Sequence, residues 1–247
     1  MGNNKFIVFG GGGHVGQAFA RQAIAMGAEV TSVVRDDSHN KELDAIGAKP
    51  YILSLEDCTV DDIEHLVTSI SPRAVIFSAG AGGKGAPERT RAVDLEGLKK
   101  VAQALQKTPC KRLLIVSAID VRDRTQGYPA HYNEDSKKGS DEVWSRIGRY
   151  MQAKYEADAY LHQSGLDFTI LRPGRLTHEP AGGCDLGLTQ MGHTSRALVG
   201  EVLLACALTD GTIGLTLDVL DGTKSVKEEV DRCARLKVDA WGKTGDN

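Results

Sequence analysis

Apolar residues in this chain fall into short continuous runs, separated by stretches that carry one apolar stripe per helical turn. Residues 5–10 (KFIVFG) read as a buried strand, and 15–26 as a helix with Val15, Phe19 and Ala23 on one face. The alternation continues with a strand at 29–34 (EVTSVV), a helix at 40–46, a strand at 50–55 (PYILSL) and a helix at 61–69. A strand at 73–80 (RAVIFSAG), a long helix at 89–107 and a strand at 112–118 (RLLIVSA) follow, then a helix at 148–164 and a sixth strand at 167–174 (DFTILRPG). Short apolar strands separated by helices predict a parallel sheet buried on both faces, that is, a doubly wound α/β domain. Two stretches, 119–147 and 175–193, lack either period and are read as loop insertions forming a small substrate lobe. Both leave the carboxyl ends of strands, the edge where open α/β sheets bind ligands. Residues 228–241 read as a C-terminal helix that helps cover the substrate side.

Composition narrows the function classes. A chain of 247 residues with 41% hydrophobic and 26% charged residues suits one domain with a sizeable core. A net charge of −3 gives no footprint for nucleic acid or a membrane surface. The five cysteines show no C-x-x-C spacing, and the histidines no H-E-x-x-H, so no metal site is expected. The absence of G-x-S-x-G removes support for a hydrolase. Polar residues lead straight into the first strand without a signal peptide, so a cytoplasmic protein is expected, monomeric or homodimeric.

The glycine loop carries the first chemistry. VFGGGGHVGQAF places Gly10, Gly13 and Gly16 in a G-x-x-G-x-x-G frame between the first strand and the first helix. Glycines there allow a tight turn and close approach of a pyrophosphate, which then meets the N–H groups around Gly13, His14, Val15 and Gly16 at the positive end of the helix. The alternative is a glycine-rich turn without a ligand. The second strand ends in VVRDD, with Arg35 at the tip, where a guanidinium suits the 2′-phosphate of NADP. Asp36 and Asp37 keep open the 2′-hydroxyl of NAD. Tyr150 and Lys154 stand four apart in a helical stretch, a spacing that arises about 0.4 times by chance in a chain of this composition. They are either a catalytic acid with its lysine or two ordinary residues beside the stripe of Met151, Tyr155 and Ala159. His131, Tyr132, Trp144, His178 and His193 lie in or near the insertions and could line an aromatic substrate pocket.

Taken in order, G-x-x-G-x-x-G at 10–16, SAGAGG ending the fourth strand, VSA ending the fifth, Tyr150-x-x-x-Lys154 and LDFTILRPGRLT at 166–177 resemble the short-chain dehydrogenases/reductases. The glycine frame and TILRPG are similar to the atypical, NmrA-like branch with a Rossmann core, and the AIDVRDR…HYNEDS…VW stretch resembles fungal members of that branch. The resemblance spans roughly residues 5–222. It implies that Ala79 and Gly80 line the adenosine ribose and that Ser117 hydrogen-bonds a substrate carbonyl. It makes Tyr150 the general acid or base, with Lys154 holding the nicotinamide ribose and lowering the phenol pKa. Pro173 and Gly174 would approach the nicotinamide through their backbone. Two departures stand out: a long insert between Ser117 and Tyr150, and Asp94 where many members carry an asparagine. The expected function is an NADPH-dependent reduction of a carbonyl or conjugated double bond in a small, apolar metabolite. A dinucleotide-binding redox sensor without turnover, or a non-redox isomerase retaining NADP, are the alternatives.

Overall fold

A computed structural model describes residues 3–80 and 87–242. Strand β1 (Lys5–Phe9) sends Phe6 and Val8 to one face of the sheet and Ile7 and Phe9 to the other, and all four are buried. That two-sided burial is why the strand is apolar at every position rather than at alternate ones. Phe6 meets Phe19 of helix α1 (His14–Ala25) edge-on, with ring centroids 5.4 Å apart. Strand β2 (Glu29–Val34), helix α2 (Asn40–Ala45), strand β3 (Lys49–Ile52), helix α3 (Val60–Ile70) and strand β4 (Ala74–Phe77) follow the predicted alternation. The predicted long helix is one rod over 87–107. It runs from α4 (Pro87–Thr90) through a π-helical stretch (Arg91–Gly97) to α5 (Leu98–Lys107). Strand β5 (Arg112–Val116), helix α6 (Glu134–His162) and strand β6 (Asp167–Pro173) complete the predicted set.

Beyond these lie elements the apolar pattern did not separate. Short β7 (Arg175–Thr177) pairs with β9 (His193–Ser195), and β8 (Gly183–Gly187) joins the main sheet. Helix α7 (Arg196–Ala207), strand β10 (Leu215–Gly222) and helix α8 (Val226–Leu236) follow. The main sheet has the order β3-β2-β1-β4-β5-β6-β10-β8, parallel throughout except for β8, which runs antiparallel to β10. Helices α1, α7 and α8 cover one face; α3, α5 and α6 cover the other. This is a single doubly wound α/β domain, a Rossmann-like fold, with its strand order reversing between β1 and β4.

Two expectations change. The 119–147 stretch is not irregular throughout: α6 begins at Glu134, capped by the Asn133 side chain accepting from the Ser136 N–H at 2.8 Å. The expected start at 148 is instead a kink, where Ile147 leaves helical geometry (φ −132°, ψ 29°). The first half of α6 is polar because it is held by side-chain contacts rather than by an apolar stripe. Ser140 donates to Asp120 (2.6 Å) and accepts from Arg122 (3.0 Å). The C-terminal helix runs over Val226–Leu236 and so ends five residues before the expected 241; the following turn brings Trp241 onto His162 and Tyr155 of α6. Among the described residues no helix is long and apolar enough to cross a membrane.

Candidate functional site

Packing explains why the loop after β1 must be glycine at two of its framed positions. Gly10 sits at φ +79°, and a Cβ there would lie 2.6 Å from the Ala79 backbone; a Cβ on Gly16 would lie 2.6 Å from the Gly10 carbonyl oxygen. Gly13 differs. It caps α1 in an extended conformation, and the nearest atom to an added Cβ is the Gly10 oxygen at 3.3 Å. Its outer side therefore faces open space, beside the helix-start N–H groups that α1 cannot bond internally. This cradle fits a pyrophosphate.

From the cradle a cleft runs in two directions. Toward β2 it has a volume of about 240 Å³ and is lined by Gly12, Arg35, Ser38, Leu53, Ala79 and Gly80, among others. Arg35 is exposed and donates one N–H to Asp36 at 3.2 Å. Asp36 is itself committed to the following turn, accepting from the Ser38 N–H (3.1 Å) and hydroxyl, and the Ser38 bonds hold its carboxyl below the usual range. Toward β5 and α6 the cleft widens to about 980 Å³, bounded by His14, Val15, Ser117, Trp144, Tyr150 and Lys154. Gly13, Ser78, Ala79 and Gly80 border both parts, so the two are continuous. The remainder of the SAGAGG segment, residues 81–83, lies outside the described residues.

The Tyr150–Lys154 pair is at the wall of this cleft. The Lys154 ammonium is 5.7 Å from the Tyr150 ring centroid and almost fully buried. It is anchored by Asp94 Oδ1 at 2.8 Å and by the Val116 carbonyl at 3.1 Å. Burial disfavours its charge, but Tyr150, Asp94 and Asp158 together outweigh that and keep it firmly protonated. The phenol does not follow the family expectation. Burial raises the Tyr150 pKa, Lys154 lowers it, and Asp94 and Asp158 raise it again, for a net upward shift. Asp94 neutralises much of the charge that would have lowered the phenol.

Ser117 lines the same cleft despite the long insert before α6. Its hydroxyl donates to Asp158 Oδ2 at 3.0 Å, and Arg172 grips the same oxygen through Nε (3.0 Å) and Nη2 (2.8 Å). All three side chains are buried. With its proton directed at Asp158, Ser117 presents acceptor lone pairs to the cleft, where the resemblance implied a donor to a carbonyl. Sequence reasoning noted Asp94 only as a departure from the family and did not single out Asp158 or Arg172. The available signal for Asp158 was its standing four residues after Lys154 on the same helix face.

Pro173 and Gly174 are not in the cleft. The Pro173 carbonyl accepts from the Ile119 N–H (2.9 Å), and the Gly174 N–H is bonded to Thr194 Oγ1 (2.9 Å) and Val219 O (3.3 Å). Gly174 is needed for packing, since a Cβ would lie 2.4 Å from the Gly192 oxygen. The expected aromatic pocket is also dispersed. Trp144 lines the cleft, and His178 packs edge-on against His14 at 4.9 Å. His131 and Tyr132 border a separate cavity of about 150 Å³ with Arg172, Asp218 and Trp241, while His193 is exposed on β9. In that cavity burial pushes the Asp218 carboxyl up to about 7, with Arg172 opposing. A buried carboxyl raised in the folded state is protonated there while the unfolded chain is ionised, so stability falls as pH rises from about 4 to about 7. Asp218→Asn is expected to melt at least 2–4 °C higher than the parent at pH 8, roughly the effect of 1 kcal/mol in a chain of this size, and at the same temperature at pH 4. Melting curves at the two pH values check this; an equal shift at both would refute the assignment.

Comparison with known proteins shows the family. A family model described as NAD(P)H-binding matches residues 10–210. This chain belongs to the NAD(P)H-binding family. It is 39% identical over 229 residues to the UPF0659 protein C216.03 of Schizosaccharomyces pombe, covering 91% of this chain and 93% of that one. The UPF0659 protein YMR090W of Saccharomyces cerevisiae is 36% identical over 179 residues, 71% of each chain. Among solved structures, a Bacillus halodurans protein described as an NAD-dependent epimerase/dehydratase superposes with a TM-score of 0.77 at 28% identity, covering 94% of this chain and all of that one. The resemblance to fungal members of an NAD(P)-binding Rossmann family therefore holds.

Proposed function

We propose that this protein is a cytoplasmic NADPH-dependent oxidoreductase that reduces a carbonyl or conjugated double bond of a small metabolite. The observation that carries this reading is the single continuous cleft from Arg35, past the glycine cradle, to Ser117, Tyr150 and Lys154. Gly10, Gly13, His14, Val15 and Gly16 would hold the pyrophosphate, Ala79 and Gly80 the adenosine side, and Lys154 the nicotinamide ribose. Arg35 would take the 2′-phosphate, because Asp36 is committed to Ser38 and leaves the remaining guanidinium N–H groups open. When bound, the nicotinamide supplies the hydride. Tyr150 supplies the proton: a phenol held neutral by burial is a donor throughout the neutral range, which favours reduction over the reverse oxidation. Lys154 and Asp94 fix the charge beneath it, and Ser117 steadies a hydroxyl forming at the same atom.

Cofactor choice is tested by titration. NADPH is expected to bind at least about tenfold more tightly than NADH, the scale of one charge-assisted contact, and Arg35→Ala to abolish that ratio. Equal affinities in the parent protein would end the NADP assignment. Tight NADPH binding without turnover of any quinone, enone or aldehyde offered would favour the sensor reading instead.

A further inference from the structure

The wide part of the cleft holds charge that neither the cofactor nor Tyr150 uses. Arg146, Arg149 and Arg196 all line it. Asp94 is the one acid among the described lining residues, and it is paired with Lys154 at 2.8 Å. Arg196 spends one N–H on the Thr177 carbonyl at 2.9 Å. Arg146 and Arg149 are exposed and make no hydrogen bond or ion pair with any described residue. The chain as a whole carries a net charge of −3, so this excess of positive charge is local. Both arginines stand on the kinked part of α6, Arg149 immediately before Tyr150 and Arg146 a turn earlier. Beside them the wall is apolar, made by Trp144, Ile147 and Leu176. Arg35, the arginine assigned to the cofactor's 2′-phosphate, lines the other part of the cleft.

From this arrangement we infer that the substrate is an amphipathic anion. Its apolar body lies against Trp144, Ile147 and Leu176, and a carboxylate or phosphate is held by Arg146 and Arg149 while the reducible group faces Tyr150. The inference rests on the reductase reading for the last clause only. A concave wall of unpaired guanidinium groups concentrates anions and matches the two-oxygen geometry of carboxylate and phosphate. The apolar metabolite expected from sequence thereby gains an acidic end.

A binding experiment tests the charge preference without requiring turnover. The NADP⁺-saturated protein is titrated by calorimetry with 2-naphthoate, its neutral analogue 2-naphthamide, and phenyl phosphate. Naphthoate is expected to bind at least tenfold more tightly than naphthamide. In the Arg146→Gln/Arg149→Gln double variant that ratio should fall to near one, with NADP⁺ affinity unchanged. The phosphate arm identifies the acid: either order of affinity between phenyl phosphate and naphthoate supports the proposal, provided both anions exceed naphthamide. Equal binding of naphthoate and naphthamide by the parent protein, or a preference that survives in the double variant, would overturn it. Failure of NADP⁺ itself to bind would instead count against the reductase reading, and the naphthoate comparison is then read on the free protein.

Discussion

Tyr150→Phe is expected to reduce turnover by roughly 10²–10⁴-fold, the usual scale for loss of a positioned proton donor, while NADPH affinity stays the same. The substitution removes one hydroxyl and keeps the ring, so the contact with the Lys154 ammonium 5.7 Å from its centroid survives. Because burial raises the phenol pKa, the parent rate of reduction should also hold level from pH 6 to pH 9. Lys154→Ala is a harsher change. It removes the proposed grip on the ribose and leaves Asp94 as a buried carboxylate without its 2.8 Å partner, which costs about 3–5 kcal/mol in comparable pairs. Cofactor affinity, turnover and melting temperature should therefore all fall together. If Tyr150 and Lys154 were only a packing pair, Tyr150→Phe would retain full activity on any substrate the parent reduces, and steady-state kinetics on that substrate would show it.

Substitutions in the glycine loop are expected to divide by position. Gly13→Val should abolish dinucleotide binding and leave the melting temperature within a few degrees of the parent. Its Cβ would meet only the Gly10 oxygen at 3.3 Å, and the branched side chain is expected to occupy the space where the pyrophosphate approaches. Gly16→Val should lose both binding and stability, since its Cβ would press on the Gly10 oxygen at 2.6 Å and the Gly11 Cα at 3.0 Å, neither of which can move without opening the loop. Isothermal titration with NADPH and thermal melting on the same samples separate the two. Normal binding by a stable Gly13→Val protein would show that the cradle is not the phosphate site.

Particular residues show where the sequence was sufficient. The run FIVF in β1 is apolar at every position because both faces of a central parallel strand are buried, and that pattern is visible without coordinates. Gly10 and Gly16 were legible from the strand–loop–helix frame: Gly10 turns at φ +79° and a Cβ on Gly16 would strike the loop itself, although the Ala79 backbone that also crowds Gly10 is visible only in the fold. Helix α6 was legible only after its kink. Its first half carries EDSKKGSDE, which has no apolar period, and it is held through contacts such as Ser140 with Asp120 across 20 residues. Strand β10 was hidden for a different reason. Thr216 and Asp218 break its apolar run; Thr216 is bonded to His162 of α6 and to the Ala240 N–H, and Asp218 to the Thr189 N–H, partners that sequence cannot bring together.

The sequence by itself determined the doubly wound α/β class and the glycine loop, because hydrophobic period and local backbone geometry set them within a few residues; Arg35 was visible at a strand tip and Tyr150 and Lys154 at helical spacing, while Ser117 was singled out by the family resemblance. Only the tertiary structure decided how those side chains are charged and directed. Asp94 reaches Lys154 across 60 residues and leaves the phenol raised, Asp158 and Arg172 turn the Ser117 proton away from the cleft, and the Pro173 carbonyl and the Gly174 N–H are bonded within the fold. Hydrogen bonds and ion pairs act over about 3 Å, and which groups come within that distance depends on how the helices are packed onto the sheet, a long-range outcome that no spacing along the chain encodes.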